Sequence, residues 1–376
     1  MQLIAISARR RLMRPAAAAL LLGAVLTAPA GAQAATTAPV TLARPAAVGD
    51  RAVAPALHID FLGVHWRGAT RAAGSVRLRR AGRWGGWQQL HPSDMRPPGR
   101  FASELLAAHR ATAYQVRAPA GARDVRAVAI NTTDGPRRPP ARSAAARGAD
   151  QTTAGGRLLA GLCLRDRAAW QADESLRFDA AGNEVWPPVF FPVQRLTVHH
   201  TVIDDGASDP AAVVRAIYRY HAVDLGWGDI GYQLVIDRDG CIYEGRASGA
   251  DGVPVFQGLP LPGSSALAVN GGHVLGFNAG NVGVALLGEF TAAAPSRAAL
   301  RALTRTLAVL AAAGDLDPLA TGTYVNPITG ATLQTATISG HRDWLATECP
   351  GEQLYALLPE IRGRVATLVG RRPAGA

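Results

Sequence analysis

Residues 281–287 read Asn-Val-Gly-Val-Ala-Leu-Leu, and this stretch decides the fold class of the carboxy-terminal half. It is a continuous apolar run rather than an alternating one, which is typical of a strand in a sheet that is covered on both faces. Further strands are predicted on either side of it, at Arg195–His199, Tyr232–Ile236 and Cys241–Glu244. The last two flank Asp237-Arg238-Asp239-Gly240, which is a hairpin signal.

Helical patterns alternate with these strands. Asp209 followed by Pro210 predicts a helix start, and Ser296 predicts another, with Gly314 as its end. A final helix is predicted on the spacing of its apolar residues Leu354, Leu358, Ile361, Val365 and Leu368. We therefore predict an α/β fold with a central mixed β-sheet flanked by helices over residues 157–370.

The amino-terminal half has a different character. Residues 57–130 hold short, partly alternating segments between Gly/Pro clusters, which predicts a small β-rich accessory domain. Its tryptophans, Trp66, Trp84 and Trp87, either form a saccharide platform or lie in the core, and burial tendencies favour the core. Residues 35–56 and 131–156 are rich in Ala, Pro and Arg and are predicted to be linkers.

The first 34 residues resemble an export signal. Arginines at 9, 10, 11 and 14 precede the apolar run 16–26, and Ala32-Gln33-Ala34 offers a cleavage site. The arginines also approximate a twin-arginine pattern, so Sec and twin-arginine export both remain open. The apolar run is too short to cross a bilayer, so we expect no integral membrane span. The mature protein is expected to be secreted, in the cell wall or the periplasm.

The 376 residues carry a net charge of +11, and all 39 basic residues are Arg. Residues 1–160 have 23 Arg and 7 acids, a net charge of +16, whereas residues 161–376 have 16 Arg and 21 acids, a net charge of −5. No nucleic-acid-binding signature accompanies the basic half, so we expect no nucleic acid partner. Binding to anionic cell-wall polymers and simple solubility each account for the charge.

Candidate metal ligands lie in two segments far apart in the sequence. One is His199-His200 at a strand end, and the other runs from Gly340-His341-Arg342-Asp343 to Thr347-Glu348-Cys349-Pro350-Gly351. Two imidazoles and a thiolate suit zinc, with a fourth position left for water. Successive strand side chains point to opposite faces, so only one of His199 and His200 can serve the site, and residue types do not choose. The alternative is that the histidines are core residues and Cys349 is half of a disulfide.

Four motifs together resemble the zinc-dependent N-acetylmuramoyl-L-alanine amidase family shared with peptidoglycan recognition proteins, in its secreted bacterial form. They are Thr197-Val198-His199-His200-Thr201, Gly226-Trp227-Gly228-Asp229-Ile230-Gly231-Tyr232, Tyr243-Glu244-Gly245-Arg246 and the segment 340–351. The resemblance covers about Cys163 to Val369 and keeps the order of the family's motifs. It implies hydrolysis of the amide that joins N-acetylmuramic acid to L-alanine in peptidoglycan.

The resemblance also assigns roles to residues. It implies that Zn²⁺ is held by His199, His341 and Cys349, that Tyr232 and Thr347 are catalytic, and that His273 and Asn278 line the substrate groove. It implies that Cys349 argues for hydrolysis, because recognition proteins that only bind lack this ligand. The loops 247–266 and 315–336 are longer than the family pattern, which leaves substrate preference open.

Two other functions remain as alternatives at this stage. One is a secreted peptidoglycan-binding protein without catalysis, and the other is a basic adhesin for anionic wall polymers. With Cys349 assigned to zinc, Cys163 and Cys241 remain as a pair, and we expect a disulfide between them in an oxidising compartment.

Overall fold

A six-stranded mixed sheet organises the carboxy-terminal half. The computed structural model of the protein describes residues 37–49, 51–68, 74–93, 99–138, 161–203, 209–260 and 266–370. The strands of this sheet lie in the order Cys163–Arg165, Cys241–Glu244, Leu234–Ile236, Asn281–Leu286, Arg195–His200 and Ile338–Gly340. Neighbouring strands are parallel, except that the hairpin strands Leu234–Ile236 and Cys241–Glu244 are antiparallel.

Both faces of this sheet are covered, as the apolar run 281–287 predicts. Val284 packs into one hydrophobic cluster with Leu303 and Leu307, whereas its neighbour Ala285 packs into the opposite cluster with Ile217. All six residues of Asn281–Leu286 are buried. The predicted fold class, a central mixed sheet flanked by helices and preceded by a β-rich part, is therefore confirmed.

The helices begin where their capping residues predict. Helix α1, Pro210–Arg219, follows Asp209, whose carboxylate accepts a hydrogen bond from the Ala212 amide, and it continues as a π-helical turn, Tyr220–Asp224. Helix α2, Arg297–Ala313, lies between Ser296 and Gly314. The predicted final helix is instead two helices, α3 (Glu352–Ala356) and α4 (Leu358–Leu368). The break has a physical reason, because Pro359 has no amide proton to continue the helix.

Shorter elements complete this half. Two of them are 3₁₀ turns, Glu174–Arg177 and His341–Asp343. The others are two small antiparallel sheets. One pairs Phe190–Pro192 with Leu267–Val269, and the second pairs Thr321–Val325 with Thr332–Ala336. The second of these sheets lies in the loop 315–336. Tyr324 anchors it by donating a hydrogen bond from its hydroxyl to the Ala279 carbonyl at 2.8 Å.

The amino-terminal half is a β-rich module, a name used here for the described residues between 37 and 138. Its longest strands, Ile59–Arg67 and Arg123–Asn131, pair antiparallel. The remaining strands are Ala38–Pro39, Leu42–Ala47, Ser75–Arg80, Arg83–Trp84, Gln88–Gln89, Pro92–Ser93, Phe101–Ser103, Leu106–Ala111, Ala113–Arg117 and Arg137–Arg138.

The structure corrects two of the predicted segment boundaries. The linker predicted over 35–56 is wrong for Leu42–Ala47, which forms an edge strand against Arg126–Asn131. The linker predicted over 131–156 begins too early, because Asn131 is fully buried and Arg137–Arg138 still pairs with Ala38–Pro39. The predicted signal, residues 1–34, and residues 139–160 lie outside the described residues.

The three tryptophans of the module divide between the two alternatives. Trp66 is fully buried in the core of the module, whereas Trp84 is 37% exposed. The ring of Trp87 lies beneath guanidinium groups, with Arg77 and Arg117 at 5.0 and 3.9 Å from its centroid.

Among the described residues, no helix has the length and apolar character needed to span a membrane.

The module packs directly on helix α1 and the turn that follows it. Phe61, Leu105 and Ile130 belong to the same hydrophobic cluster as Ile217 and Tyr220. The Tyr220 hydroxyl donates to the Ser103 carbonyl at 3.1 Å. The Tyr220 ring lies so close to Gly63 that a Cβ there would be 2.3 Å from it. The shared core joins the module to the α/β domain.

The expected disulfide between Cys163 and Cys241 is confirmed. The two residues are directly paired on adjacent parallel strands, with their Cα atoms 4.5 Å apart. The bond closes a sequence separation of 78 residues and ties the first strand of the α/β domain to the hairpin.

We predict that replacing both residues, Cys163→Ala with Cys241→Ala, lowers the free energy of unfolding by about 4 kcal/mol, because the unfolded chain regains the entropy of a long loop. Urea unfolding of the double variant and of reduced wild-type protein measures this loss. The two should agree. An unchanged unfolding midpoint in both would contradict the prediction.

Candidate metal centre

Three predicted ligands converge at the carboxyl ends of two adjacent parallel strands of the sheet. His199, His341 and Cys349 each offer a ligand atom, and these atoms all lie within 4.8 Å of one another. His199 lies near the end of Arg195–His200, and His341 directly follows Ile338–Gly340, which is parallel to it. Parallel strands present their carboxyl ends at one edge of the sheet, which brings the two imidazoles together.

The loop from His341 to Cys349 closes on itself and so brings the cysteine back to the histidines. The Arg342 amide donates to the Cys349 carbonyl at 2.9 Å. Asp343 holds the start of the turn, because its carboxylate accepts a hydrogen bond from the Gly340 amide at 2.8 Å. The eight-residue spacing in the sequence is therefore the span of this closed loop.

The structure distinguishes the two adjacent histidines that residue types left open. The Nδ1 atom of His199 lies 3.7 Å from the Cys349 sulfur. The ring of His200 points elsewhere and accepts a hydrogen bond from the Phe290 amide. The backbone amide of His200 donates to the Cys349 sulfur at 3.4 Å, an interaction that stabilises a thiolate.

A chain of hydrogen bonds fixes the protonation of His199. His273 Nε2 lies 3.0 Å from the Asn281 carbonyl, which can only accept, so this nitrogen carries the proton. Burial lowers the pKa of His273 to about 4, so the ring is neutral and its Nδ1 accepts the hydrogen bond from His199 Nε2 at 2.9 Å. Burial also holds the pKa of His199 well below its ordinary value. The Nδ1 of His199 is therefore left unprotonated and faces the sulfur.

The structure gives His273 and Asn278 a further role beside the one expected from the sequence. His273 is fully buried behind His199 and does not line the pocket described below. Asn278 accepts hydrogen bonds from the His273 and Val274 amides, both at 2.8 Å, and holds the loop that carries His273. The His273 ring lies against Gly283, where a Cβ would come within 2.6 Å of it. Both residues are placed to position the candidate ligand His199, and their role in the substrate groove stays a prediction.

The donor set fits zinc. Ligand bonds of about 2.3 Å to sulfur and about 2.0–2.1 Å to nitrogen at a tetrahedral angle place the two ligand atoms about 3.6 Å apart. The observed 3.7 Å between His199 Nδ1 and Cys349 Sγ agrees with that separation. A metal requires neutral imidazoles and a thiolate, and the lowered pKa of His199 and the amide hydrogen bond to the Cys349 sulfur favour these states.

His341 and Cys349 line a pocket of about 460 Å³, whereas His199 is fully buried and is not among its lining residues. Tyr232 and Thr347, the two predicted catalytic residues, both line it. The ring of Tyr232 lies 5.3 Å from that of His199, and burial raises its pKa well above the ordinary value, so the phenol stays protonated and able to donate. The Thr347 hydroxyl oxygen accepts a hydrogen bond from the Cys349 amide at 3.3 Å, which leaves its proton to donate to another group.

A buried ion cluster fixes the segment that leads to Tyr232. The fully buried Asp229 accepts hydrogen bonds from Arg167 at 3.0 Å and from Arg246 at 2.9 Å. It also accepts from the amides of Ile230 and Ala247. These contacts explain why the motif that ends at Tyr232 contains an aspartate.

Sequence analysis missed the residues that the β-rich module adds to this pocket. His91, Pro92 and Glu104 line it together with His341 and Cys349. Nothing in the local sequence of the module marks them, because only the packing of the module on the α/β domain brings them there.

Comparison with known proteins finds similarity over the segment that carries this site. Residues 190–352 match the N-acetylmuramoyl-L-alanine amidase family. The matched amidase segment runs from the strand before Arg195–His200 to the start of helix α3. It therefore includes all three ligands, Tyr232 and Thr347.

Curated relatives match about half of the chain. The human N-acetylmuramoyl-L-alanine amidase is 36% identical over 188 residues, which cover 49% of this chain and 26% of the human protein. Peptidoglycan recognition protein 1 of Bos indicus is 28% identical over 172 residues, which cover 45% of this chain and 72% of the relative. The chain spans about a quarter of the length of the mammalian amidases that it matches.

Among solved structures, Drosophila PGRP-LB is 26% identical with a TM-score of 0.36. The match covers 51% of this chain and 90% of that one.

We predict that His273→Phe, which keeps a ring but removes both nitrogens, lowers zinc affinity about 10–100-fold, because His199 loses the hydrogen bond that fixes its tautomer. Competition with a fluorescent zinc chelator measures the affinity. His65→Phe, a buried histidine of the module away from the ligands, is the matched control. Equal affinities of the two variants would refute the positioning role.

Proposed function

We propose that this chain is a zinc-dependent amidase that hydrolyses the amide bond between N-acetylmuramic acid and L-alanine of the peptidoglycan stem peptide. The observation that carries the proposal is the convergence of His199, His341 and Cys349, of which His341 and Cys349 line a pocket together with Tyr232 and Thr347. A closed structural zinc site would have a fourth protein ligand, whereas two of these three residues border a cavity. The family match over residues 190–352 supports the same reaction.

Each residue of the site would have a distinct role in this reaction. Zinc, when bound, polarises a carbonyl and lowers the pKa of water toward about 7. The Tyr232 phenol, held protonated by burial, donates a hydrogen bond to the oxygen that becomes negative as the amide carbonyl is attacked. The Thr347 hydroxyl is a second donor at the same pocket. His273 and the His200 amide keep the ligands in their binding states.

We also propose that the protein works outside the cytoplasm. The disulfide between Cys163 and Cys241 supports this, because such bonds persist in oxidising compartments.

The test of the function is release of free stem peptide from purified peptidoglycan, with and without a chelator. We expect release that stops with the chelator and returns when zinc is added. Peptidoglycan binding without release by the zinc-loaded protein would overturn the amidase and support the non-catalytic alternative.

We predict that Tyr232→Phe slows stem-peptide release by about 10²–10³, the usual cost of removing one donor to a developing oxyanion, while zinc content stays unchanged. Steady-state kinetics and elemental analysis measure the two quantities. Tyr114→Phe, at a buried tyrosine of the module core, is the matched control. Unchanged turnover of Tyr232→Phe would make Tyr232 a structural residue.

A further inference from the structure

A four-stranded sheet of the β-rich module has one buried face and one open face. Its strands are Ala113–Arg117, Ser75–Arg80, Arg83–Trp84 and Gln88–Gln89. Val76, Leu78 and Val116 belong to the hydrophobic core of the module. Because successive strand side chains point to opposite faces, Arg77 and Arg117 point away from that core.

Four side chains on the open face contact one another in the order Trp84, Arg77, Trp87 and Arg117, and we call them the indole–guanidinium row. The guanidinium carbon of Arg77 lies 5.0 Å from the ring centroids of both Trp84 and Trp87. That of Arg117 lies 3.9 Å from the Trp87 centroid. These distances are within the range of about 6 Å in which an aromatic face attracts a cation. Rings and positive charges therefore alternate along the row.

Gln115 fixes the plane of the Arg77 guanidinium. It lies directly opposite Arg77 in the sheet, and its Oε1 accepts hydrogen bonds from Nε at 2.9 Å and from Nη2 at 2.7 Å. Within the part of the chain that the structure describes, Arg77 Nη1 has no acceptor. One edge of the fork is thus held by the protein, and the other edge is available to a ligand.

The charge of the row is not neutralised by carboxylates of the described residues. The four strands of the sheet contain arginine but no Asp or Glu. Other arginines of the module do pair with acids, since Arg67 and Arg126 lie 3.6 and 3.4 Å from the Asp124 carboxylate. The arginines of the row differ from these, because neither of them forms an ion pair with a described residue.

The row is open to solvent. Trp84 and Arg117 are exposed, whereas Arg77 and Trp87 are half-buried. The two residues between the indoles are glycines, and a Cβ at the second of them, Gly86, would have no atom within 4 Å. The chain between the rings therefore adds no side chain that would cover them.

We propose that the indole–guanidinium row binds an anionic wall glycopolymer, which is a phosphodiester chain that carries sugar rings. A guanidinium fork matches the oxygens of a phosphate in geometry and charge. The indole of Trp84 offers an apolar face on which the C–H face of a sugar ring packs. Both arginines contact the same ring, Trp87, so their charges act together at one place.

A single-stranded nucleic acid shares the phosphodiester chemistry but suits this face less well. Such a strand stacks successive bases on free aromatic rings. Here Trp84 contacts one guanidinium and Trp87 contacts two, so the face presents more N–H edges than ring surface. The disulfide between Cys163 and Cys241 also supports a location outside the cytoplasm, where wall polymers are the polyanions within reach.

The site would have a consequence for the whole chain. The module shares a hydrophobic cluster with helix α1, to which Phe61 of the module and Ile217 of the helix both belong. A polymer bound at the indole–guanidinium row would therefore hold the α/β domain at the wall together with the module.

The test is calorimetric titration of the full zinc-loaded chain with poly(ribitol phosphate) that carries N-acetylglucosamine. We expect Arg77→Gln with Arg117→Gln to weaken binding about 10-fold and to reduce the slope of log K against log[salt] by about 1–2, because two phosphate contacts are lost. Arg67→Gln with Arg126→Gln is the matched control, since it removes the same net charge from exposed, ion-paired positions. The control should bind within about twofold of wild type.

The sugar is tested separately with the same polymer without N-acetylglucosamine. We expect wild-type protein to bind the glycosylated polymer several-fold more tightly and Trp84→Ala to lose this preference, because the indole no longer packs on the sugar ring. Phe178→Ala is the matched control, because Phe178 is also an exposed ring near a guanidinium, that of Arg177, but belongs to the α/β domain. It should keep the preference.

Thermal midpoints show whether the variants are folded. If the variant at Arg77 and Arg117 is unfolded, Arg117→Gln alone replaces it, with Arg67→Gln as its control. Arg117 is exposed and has no hydrogen-bond partner among the described residues, so this change leaves the sheet intact. We expect about threefold weaker binding than in the control.

Four results would overturn the proposal. They are a wild-type protein that does not bind the polymer, an equal loss in the row variant and its control, an unchanged preference for the glycosylated polymer in Trp84→Ala, and equally tight binding of a thymidine oligonucleotide through the same arginines. The last result would assign the face to nucleic acid. The amidase proposal is tested independently, because these polymers contain no stem peptide.

Discussion

The hydrogen bond between His199 Nε2 and His273 Nδ1 is the constraint on which the arrangement of the candidate metal ligands depends. It is set from the far side by the Asn281 carbonyl, which belongs to the buried strand at the middle of the sheet. Gly283 on the same strand leaves the space that the His273 ring occupies. The strand that decides the fold thus also decides which nitrogen of His199 faces Cys349.

Much of the α/β domain could be predicted because its signals are local. The apolar run 281–287, the caps Asp209 and Ser296 and the hairpin at Asp237–Gly240 each act within a few residues, and each element formed where predicted. The three metal ligands could be predicted only with the family resemblance, because strand alternation alone does not say which of His199 and His200 faces the site. What separates them physically is the closed loop 341–349, which returns Cys349 to the face of His199.

The features that sequence analysis missed depend on contacts between distant residues. Leu42–Ala47 contains Pro45 and has no alternation, yet it forms a strand because Arg126–Asn131 offers it a sheet edge, where a proline is tolerated. The family resemblance places His273 in the substrate groove, but in the structure its ring is fully buried and lies against Gly283. Glu104 reaches the pocket because the module packs on helix α1 and the turn after it, where Tyr220 contacts Gly63 from more than 150 residues away. No local pattern encodes such contacts.

The central claim is that His199, His341 and Cys349 hold one zinc ion with a position left for chemistry. Zinc X-ray absorption on the purified, zinc-loaded protein tests it most directly. The account predicts one sulfur at about 2.3 Å, two imidazole nitrogens at about 2.0–2.1 Å and one further light atom that a small zinc-binding inhibitor displaces. A coordination shell without sulfur, or one with four protein ligands that no inhibitor changes, would contradict it.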